Sequence, residues 1–137
     1  MKGRIIGIDY GKSRVGLATT DPLQIIVNAL DTVDNQSFRG YIEEYLIQEH
    51  VVKLVFGKPV HADGTPTHLW QEIEKEVAYL NKKFPNIIID FQDESFTSQQ
   101  ASHIAYLSGM KKKKRRDKKI IDKISAVLIL QQYLGHI

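Results

Sequence analysis

Apolar residues in the first third of the chain fall in short runs divided by turn-forming residues. Residues 4–9 (Arg-Ile-Ile-Gly-Ile-Asp) and 14–20 (Arg-Val-Gly-Leu-Ala-Thr-Thr) read as two short strands. The brief Tyr10-Gly11-Lys12-Ser13 turn between them predicts an antiparallel hairpin. A third strand is expected over 25–33, because Asp21-Pro22 breaks the chain before it and Asp34-Asn35 after it. From Gln36 to His50 the period changes, and Phe38, Ile42, Tyr45 and Leu46 recur at helical spacing. Val51 to Phe56 is then a continuous apolar run broken only by Lys53, as expected of a strand buried on both faces.

Gly57-Lys58-Pro59 stops that strand, and Asp63-Gly64-Thr65-Pro66 forms a turn. Thr67 is placed to cap a helix reaching about Phe84, with Trp70, Ile73, Val77 and Leu80 as its buried stripe. Ile87 to Phe91 returns to a strand, and a short helix is expected over about 97–107. Asp117 opens a last helix that reaches about Leu134. The pattern predicts one α/β domain over 1–137: a mixed sheet of about five strands, the first three antiparallel, flanked by helices.

Composition narrows the chemistry. The 137 residues are 42% hydrophobic and 26% charged, enough for a real core. There is no cysteine, so disulfides and thiolate metal sites are excluded and any metal must bind through oxygen or imidazole. That composition fits a reducing, cytoplasmic setting. No apolar run approaches the roughly 20 residues that span a bilayer, so no membrane partner is expected. Nor does the N-terminus read as a signal peptide, since Gly7, Asp9 and Gly11 interrupt its apolar stretch. The five histidines are scattered, and none has the spacing of a ligand pair.

The formal charge of +3 conceals an asymmetry. Residues 111–119 carry eight Lys or Arg and one acid, and the rest of the chain is net negative. Lys111, Lys112, Lys113, Lys114, Arg115 and Arg116 are six adjacent cations that repel one another and gain nothing in a packed fold. Such a run suits contact with the phosphates of a nucleic acid, with sequence-independent affinity and steep salt dependence. Lys12 and Arg14, in the turn after Asp9, are further candidates for phosphate contact, and Gly11 lets the backbone approach a ligand closely.

Four acids, on three separate elements, stand where chemistry is expected. Asp9 closes the first apolar strand, and Asp93 and Glu94 follow the last one. An acid there is either the chain emerging into water or a group at the carboxyl edge of a sheet, where ligands of α/β proteins bind. Asp122 shares a helix face with Ala126, Ile129 and Tyr133. It reads as a carboxylate directed inward, costly unless paired or coordinating a metal, or as an acid at the helix start offsetting the dipole. Three carboxylates gathered at one sheet edge would hold Mg²⁺ or Mn²⁺ through hard oxygen ligands. Two such ions can clamp a phosphodiester for in-line attack by water.

The ordered motifs resemble a known family. Gly7-Ile8-Asp9-Tyr10-Gly11, Arg14-Val15-Gly16-Leu17-Ala18 and Asp21-Pro22 are similar to the N-terminal signature of the YqgF proteins. Gly57-Lys58-Pro59, Asp63-Gly64-Thr65, Asp93-Glu94 with Thr97-Ser98, and Asp122-Lys123-Ile124-Ser125-Ala126 continue the match over nearly the whole chain. That family is described as pre-16S ribosomal RNA processing nucleases and as Holliday-junction-resolvase-like. The resemblance implies a ribonuclease-H-like fold, with Asp9, Glu94 and Asp122 as catalytic metal ligands and Asp93 as a supporting acid. Two positions depart from the family pattern. Ser95 replaces the usual Arg after the Asp-Glu pair, and Lys58 replaces an apolar residue, giving a candidate compensating phosphate contact.

The expected activity is therefore metal-dependent endonucleolytic hydrolysis of structured nucleic acid, at the 5′ end of pre-16S rRNA. The expected partners are structured RNA and the pre-ribosomal particle, with the protein a monomer or homodimer. The alternatives are a Holliday-junction resolvase acting on branched DNA, or a non-catalytic nucleic-acid-binding module. An actin-like or sugar-kinase nucleotide site would need a second lobe, for which 137 residues leave no room.

Overall fold

The computed structural model describes residues 2–59, 67–93, 101, 103–104 and 117–137. Strand β1 (Arg4–Tyr10) pairs antiparallel with β2 (Arg14–Thr20), which pairs antiparallel with β3 (Val27–Asp34). On its other edge β1 pairs parallel with β4 (Val51–Lys58), and β4 pairs parallel with β5 (Ile88–Asp93). The order across the sheet is β3-β2-β1-β4-β5. Helix α1 (Phe38–Gln48) follows a 3-10 turn at Asn35–Ser37, α2 (Leu69–Lys83) joins β4 to β5, and α3 (Lys118–Tyr133) closes the chain.

Strand alternation divides the core in two. Ile6, Ile8, Tyr10, Val15, Leu17, Leu54 and Phe56 project to one face and pack against Phe38, Ile42 and Leu46 of α1 and Ile73 and Leu80 of α2. Ile5, Ala18 and Val55 project to the other, against Ala126, Ile129 and Leu130 of α3. Helices on both faces are the reason β1 and β4 read as near-continuous apolar runs.

Three local expectations need correction. Strand β4 runs two residues past Phe56 and stops before Pro59. Gly57 and Lys58 stay in the sheet because β5 supplies Gln92 and Asp93 as register partners. The strand β5 likewise begins at Ile88 and runs on to Asp93. Thr67 does not cap α2: His68 holds the N-cap position, and among the described residues the Thr67 hydroxyl has no hydrogen-bond partner. Asp117, in contrast, caps α3 as expected, its carboxylate accepting from the Lys119 N–H at 2.9 Å. Of the short helix expected over 97–107, Ala101, His103 and Ile104 are described, and they are helical.

Helix α3 crosses the sheet diagonally. Its first turn is tied to the edge strand, where the Thr32 hydroxyl donates to the Lys119 carbonyl at 2.7 Å. Its last turn reaches the opposite edge. There Tyr133 Oη donates to Asp90 Oδ2 at 2.6 Å and accepts from Lys53 Nζ at 2.9 Å. The Tyr133 hydroxyl, aided by the Phe91 N–H, holds the Asp90 carboxyl below the ordinary carboxylate range.

A carboxyl group depressed in the folded state stabilises the fold above its unfolded value, about pH 4, and that contribution is lost as pH falls through the folded value. Tyr133→Phe is therefore expected to cost about 1 kcal/mol near neutral pH. The cost should shrink as the pH drops below about 4. Urea unfolding of both proteins at a series of pH values checks this. An equal cost at pH 7 and pH 2.5 would contradict it.

Candidate active site at the carboxyl edge of the sheet

The parallel strands β1, β4 and β5 end at the same edge of the sheet, where β2 begins and β3 also ends. Asp9 is the penultimate residue of β1, and alternation places it on the face of Ile5 and Gly7, beneath α3. Its partner across the ladder is Gly16. A Cβ on Gly16 would lie 2.2 Å from the Asp122 carbonyl oxygen and 3.1 Å from Asp122 Cβ. Asp122 is thus seated on the residue beside Asp9, and two acids 113 positions apart in sequence share one face and one edge. A second glycine, Gly7, admits Leu130 and the Ala126 carbonyl in the same way.

Asp122 is not directed into the apolar interior. Its side chain is 23% exposed, and Arg14 Nε donates to Oδ2 at 2.9 Å. Arg14 lies two residues before Gly16 and so projects to the same face. It offsets the Asp122 charge close to Asp9, where two carboxylates would otherwise repel each other. The helix beyond the site is apolar from Ala126 to Leu130, and Ser125 is buried with its hydroxyl unpartnered among the described residues.

The other expected residues divide by position. Lys12 is exposed in the β1–β2 turn. Gly11 closes that turn itself, its N–H donating to the Arg14 carbonyl at 3.0 Å. Lys58 and Asp93 face each other in register at the same sheet edge, but alternation places them with Phe56 and Phe91, opposite α3. The Lys58 ammonium sits 5.1 Å from the centre of the Trp70 ring. Asp9, Arg14 and Asp122 are therefore brought together, and Lys58 and Asp93 stand across the sheet from them. Glu94, Thr97, Ser98, His61, Asp63 and Lys111–Arg116 lie outside the described residues.

A feature with only a weak sequence signal adjoins this site. Lys12, Ser13, Asp34, Asn35 and Gln36 line a polar cavity of about 430 Å³. Asn35 fixes its wall: its Nδ2 donates to the Gly11 carbonyl at 2.7 Å and its backbone N–H to the Ser13 carbonyl at 2.9 Å. In the sequence, Asp34-Asn35 reads only as a strand breaker.

The donor set fits a hard divalent cation in kind. The chain has no thiol, Asp9 and Asp122 are carboxylates on one face, and Arg14 engages Oδ2 of Asp122 and leaves Oδ1. Among the described residues, no three His, Cys, Asp or Glu side chains form a metal-holding group. Also among them, no helix is long and apolar enough to cross a membrane.

A mixed five-stranded sheet whose first three strands are antiparallel, covered by helices on both faces, has the ribonuclease-H-like fold. Comparison with known proteins takes the assignment further. The family described as RuvX, Holliday junction resolvase, matches residues 3–136, and the chain belongs to it. Its relatives include proteins named "Putative pre-16S rRNA nuclease". One from Flavobacterium psychrophilum is 40% identical over 131 residues, covering 96% of each chain. One from Parabacteroides distasonis is 42% identical over 132 residues, covering 96% of this chain and 94% of that one. A third, from Porphyromonas gingivalis, is 41% identical over 134 residues, covering 98% and 97%.

Proposed function

We propose that this protein is a divalent-metal-dependent endonuclease that cleaves structured RNA in the cytoplasm, its substrate the 5′ end of pre-16S rRNA. The observation that carries this reading is the seating of Asp122 on Gly16, beside Asp9, at the carboxyl edge of the sheet. The names of the relatives support the RNA substrate.

Asp9 and Asp122, with Glu94 as the third acid, would hold Mg²⁺ or Mn²⁺. Such ions, when bound, neutralise phosphate charge and lower the pKa of an attacking water. Arg14 fixes the orientation of the Asp122 carboxylate through its 2.9 Å bond and stands ready to face a phosphate oxygen. Lys12 extends this positive edge, and Lys111–Arg116 supply non-specific grip on the backbone. Lys58 contributes a phosphate contact from the other face, and Asp93 supports the metal-binding acids.

The decisive experiment incubates the protein with labelled precursor rRNA and with a four-way DNA junction, each in Mg²⁺ and in EDTA. Site-specific, Mg²⁺-dependent cleavage of the RNA is expected. Cleavage confined to the DNA junction would instead support resolution of branched DNA, the reading that the family description favours. Cleavage that survives EDTA would remove the metal from the proposal. For Lys58, replacement by alanine is expected to weaken RNA binding and lower its salt dependence by about one phosphate contact. An unchanged salt slope would exclude Lys58 from the interface.

A further inference from the structure

We propose that the cavity at the β1–β2 turn is a ribonucleotide subsite, in which Lys12 takes a backbone phosphate and Asp34 accepts the ribose 2′-hydroxyl. The inference rests on the nuclease reading and adds to it a basis for telling RNA from DNA.

The cavity, about 430 Å³, falls within the size range of small-ligand sites. Its lining is mixed: one ammonium, one carboxylate, one hydroxyl and two amides. A site for phosphate alone gains nothing from Asp34, because a carboxylate repels phosphate. An ionised carboxylate only accepts hydrogen bonds, so its partner must donate. A ribonucleotide carries both features within one unit, a phosphate for the cation and a 2′-hydroxyl for the acid. The 2′-hydroxyl is also the group by which proteins separate RNA from DNA.

The reading groups are available and their frame is fixed. Asn35 is committed to the turn through Gly11 and Ser13. Asp34 occupies the N-cap position of the 3-10 turn, yet its side chain makes no capping bond. Among the described residues, neither Lys12 nor Asp34 takes part in a salt bridge, although both line the same cavity.

The cavity is continuous with the acids. Asp34 and Arg14 are direct partners in the β2–β3 ladder, so their side chains leave the sheet on one face. Arg14 in turn reaches Asp122. Two inter-strand steps of roughly 4.8 Å and a two-residue offset along the strands separate Asp34 from Asp9, about 12 Å in all. A nucleotide in the cavity would thus adjoin the one whose phosphate lies at Asp9 and Asp122.

The test measures binding, in EDTA, to a fluorescent RNA hairpin and to a DNA hairpin of the same sequence. Wild type is expected to bind the RNA more tightly. Asp34→Ala should weaken RNA binding about tenfold, the scale of a hydrogen bond to a charged group, and leave DNA affinity within about twofold. Lys12→Ala should weaken both polymers alike. Asp34 is exposed and caps nothing, so its replacement leaves the fold intact, which thermal melting verifies. An equal effect of Asp34→Ala on RNA and DNA, or a wild type without preference, would overturn the subsite and leave the nuclease reading standing. A wild type that binds neither hairpin would overturn both.

Discussion

Replacing Gly16 with alanine is expected to lower stability by about 3 kcal/mol or more and to reduce cleavage beyond what the lost folded protein accounts for. The added methyl would sit 2.2 Å from a backbone oxygen and 2.6 Å from the carbonyl carbon of Asp122, and backbone atoms have no alternative rotamer. The strand cannot retreat, because β2 is hydrogen-bonded on both edges. The helix cannot lift freely, because Thr32 holds Lys119 and Arg14 holds Asp122. Something must break, and whichever contact yields moves Asp122 away from Asp9. Gly40→Ala is the control: nothing lies within 4 Å of its added methyl, and it should stabilise α1 by about 0.5–1 kcal/mol. Denaturant unfolding and cleavage rates of both variants test the pair. A Gly16→Ala protein within about 1 kcal/mol of wild type would show that α3 is not seated on that strand.

Asp122→Asn is expected to do the reverse, sparing the fold and abolishing the reaction. The carboxamide keeps the shape of the side chain and an oxygen for Arg14. The ion pair it weakens is partly exposed, so stability should fall by less than about 1 kcal/mol. Cleavage should drop at least about a thousandfold, or about 4 kcal/mol in barrier, because a neutral amide is a poor ligand for a hard cation. RNA binding in EDTA should persist. Rates, melting curves and binding isotherms together separate chemical loss from unfolding. A variant that cleaves like wild type would exclude Asp122 from the reaction centre.

The sheet was largely legible in the chain because its strands carry strong local signals. Arg14–Thr20 matches its expected bounds, since a turn precedes it and Asp21-Pro22 ends it. The errors fell where pairing partners override local chemistry. Gly57 and Lys58 look like a stop, yet β5 holds them in the ladder. At the site, the placement of Asp9 followed from its position at a strand end. The Arg14–Asp122 pair spans 108 residues and has no local signature. Its one trace is the alternation of Arg14, Gly16 and Ala18, a long cation followed by small residues, which marks a face where a helix approaches closely. Asp122 read either as an inward acid, because its helix neighbours are apolar, or as an acid near the helix start at the rim. The structure sets it at the rim, where an arginine meets it. The cavity at Asp34–Gln36 and the Lys53–Tyr133–Asp90 chain are products of tertiary packing between strands and helix. No spacing rule reaches them.

The diagonal course of α3 also separates chemistry from attachment. Eleven residues divide Asp122 from Tyr133, about 16 Å at 1.5 Å of rise per residue, and the chain then turns outward to Ile137, 66% exposed. A dye or surface tether joined at Ile137 would therefore stand clear of the acids. Single-molecule recording of substrate capture can use that position without blunting the enzyme.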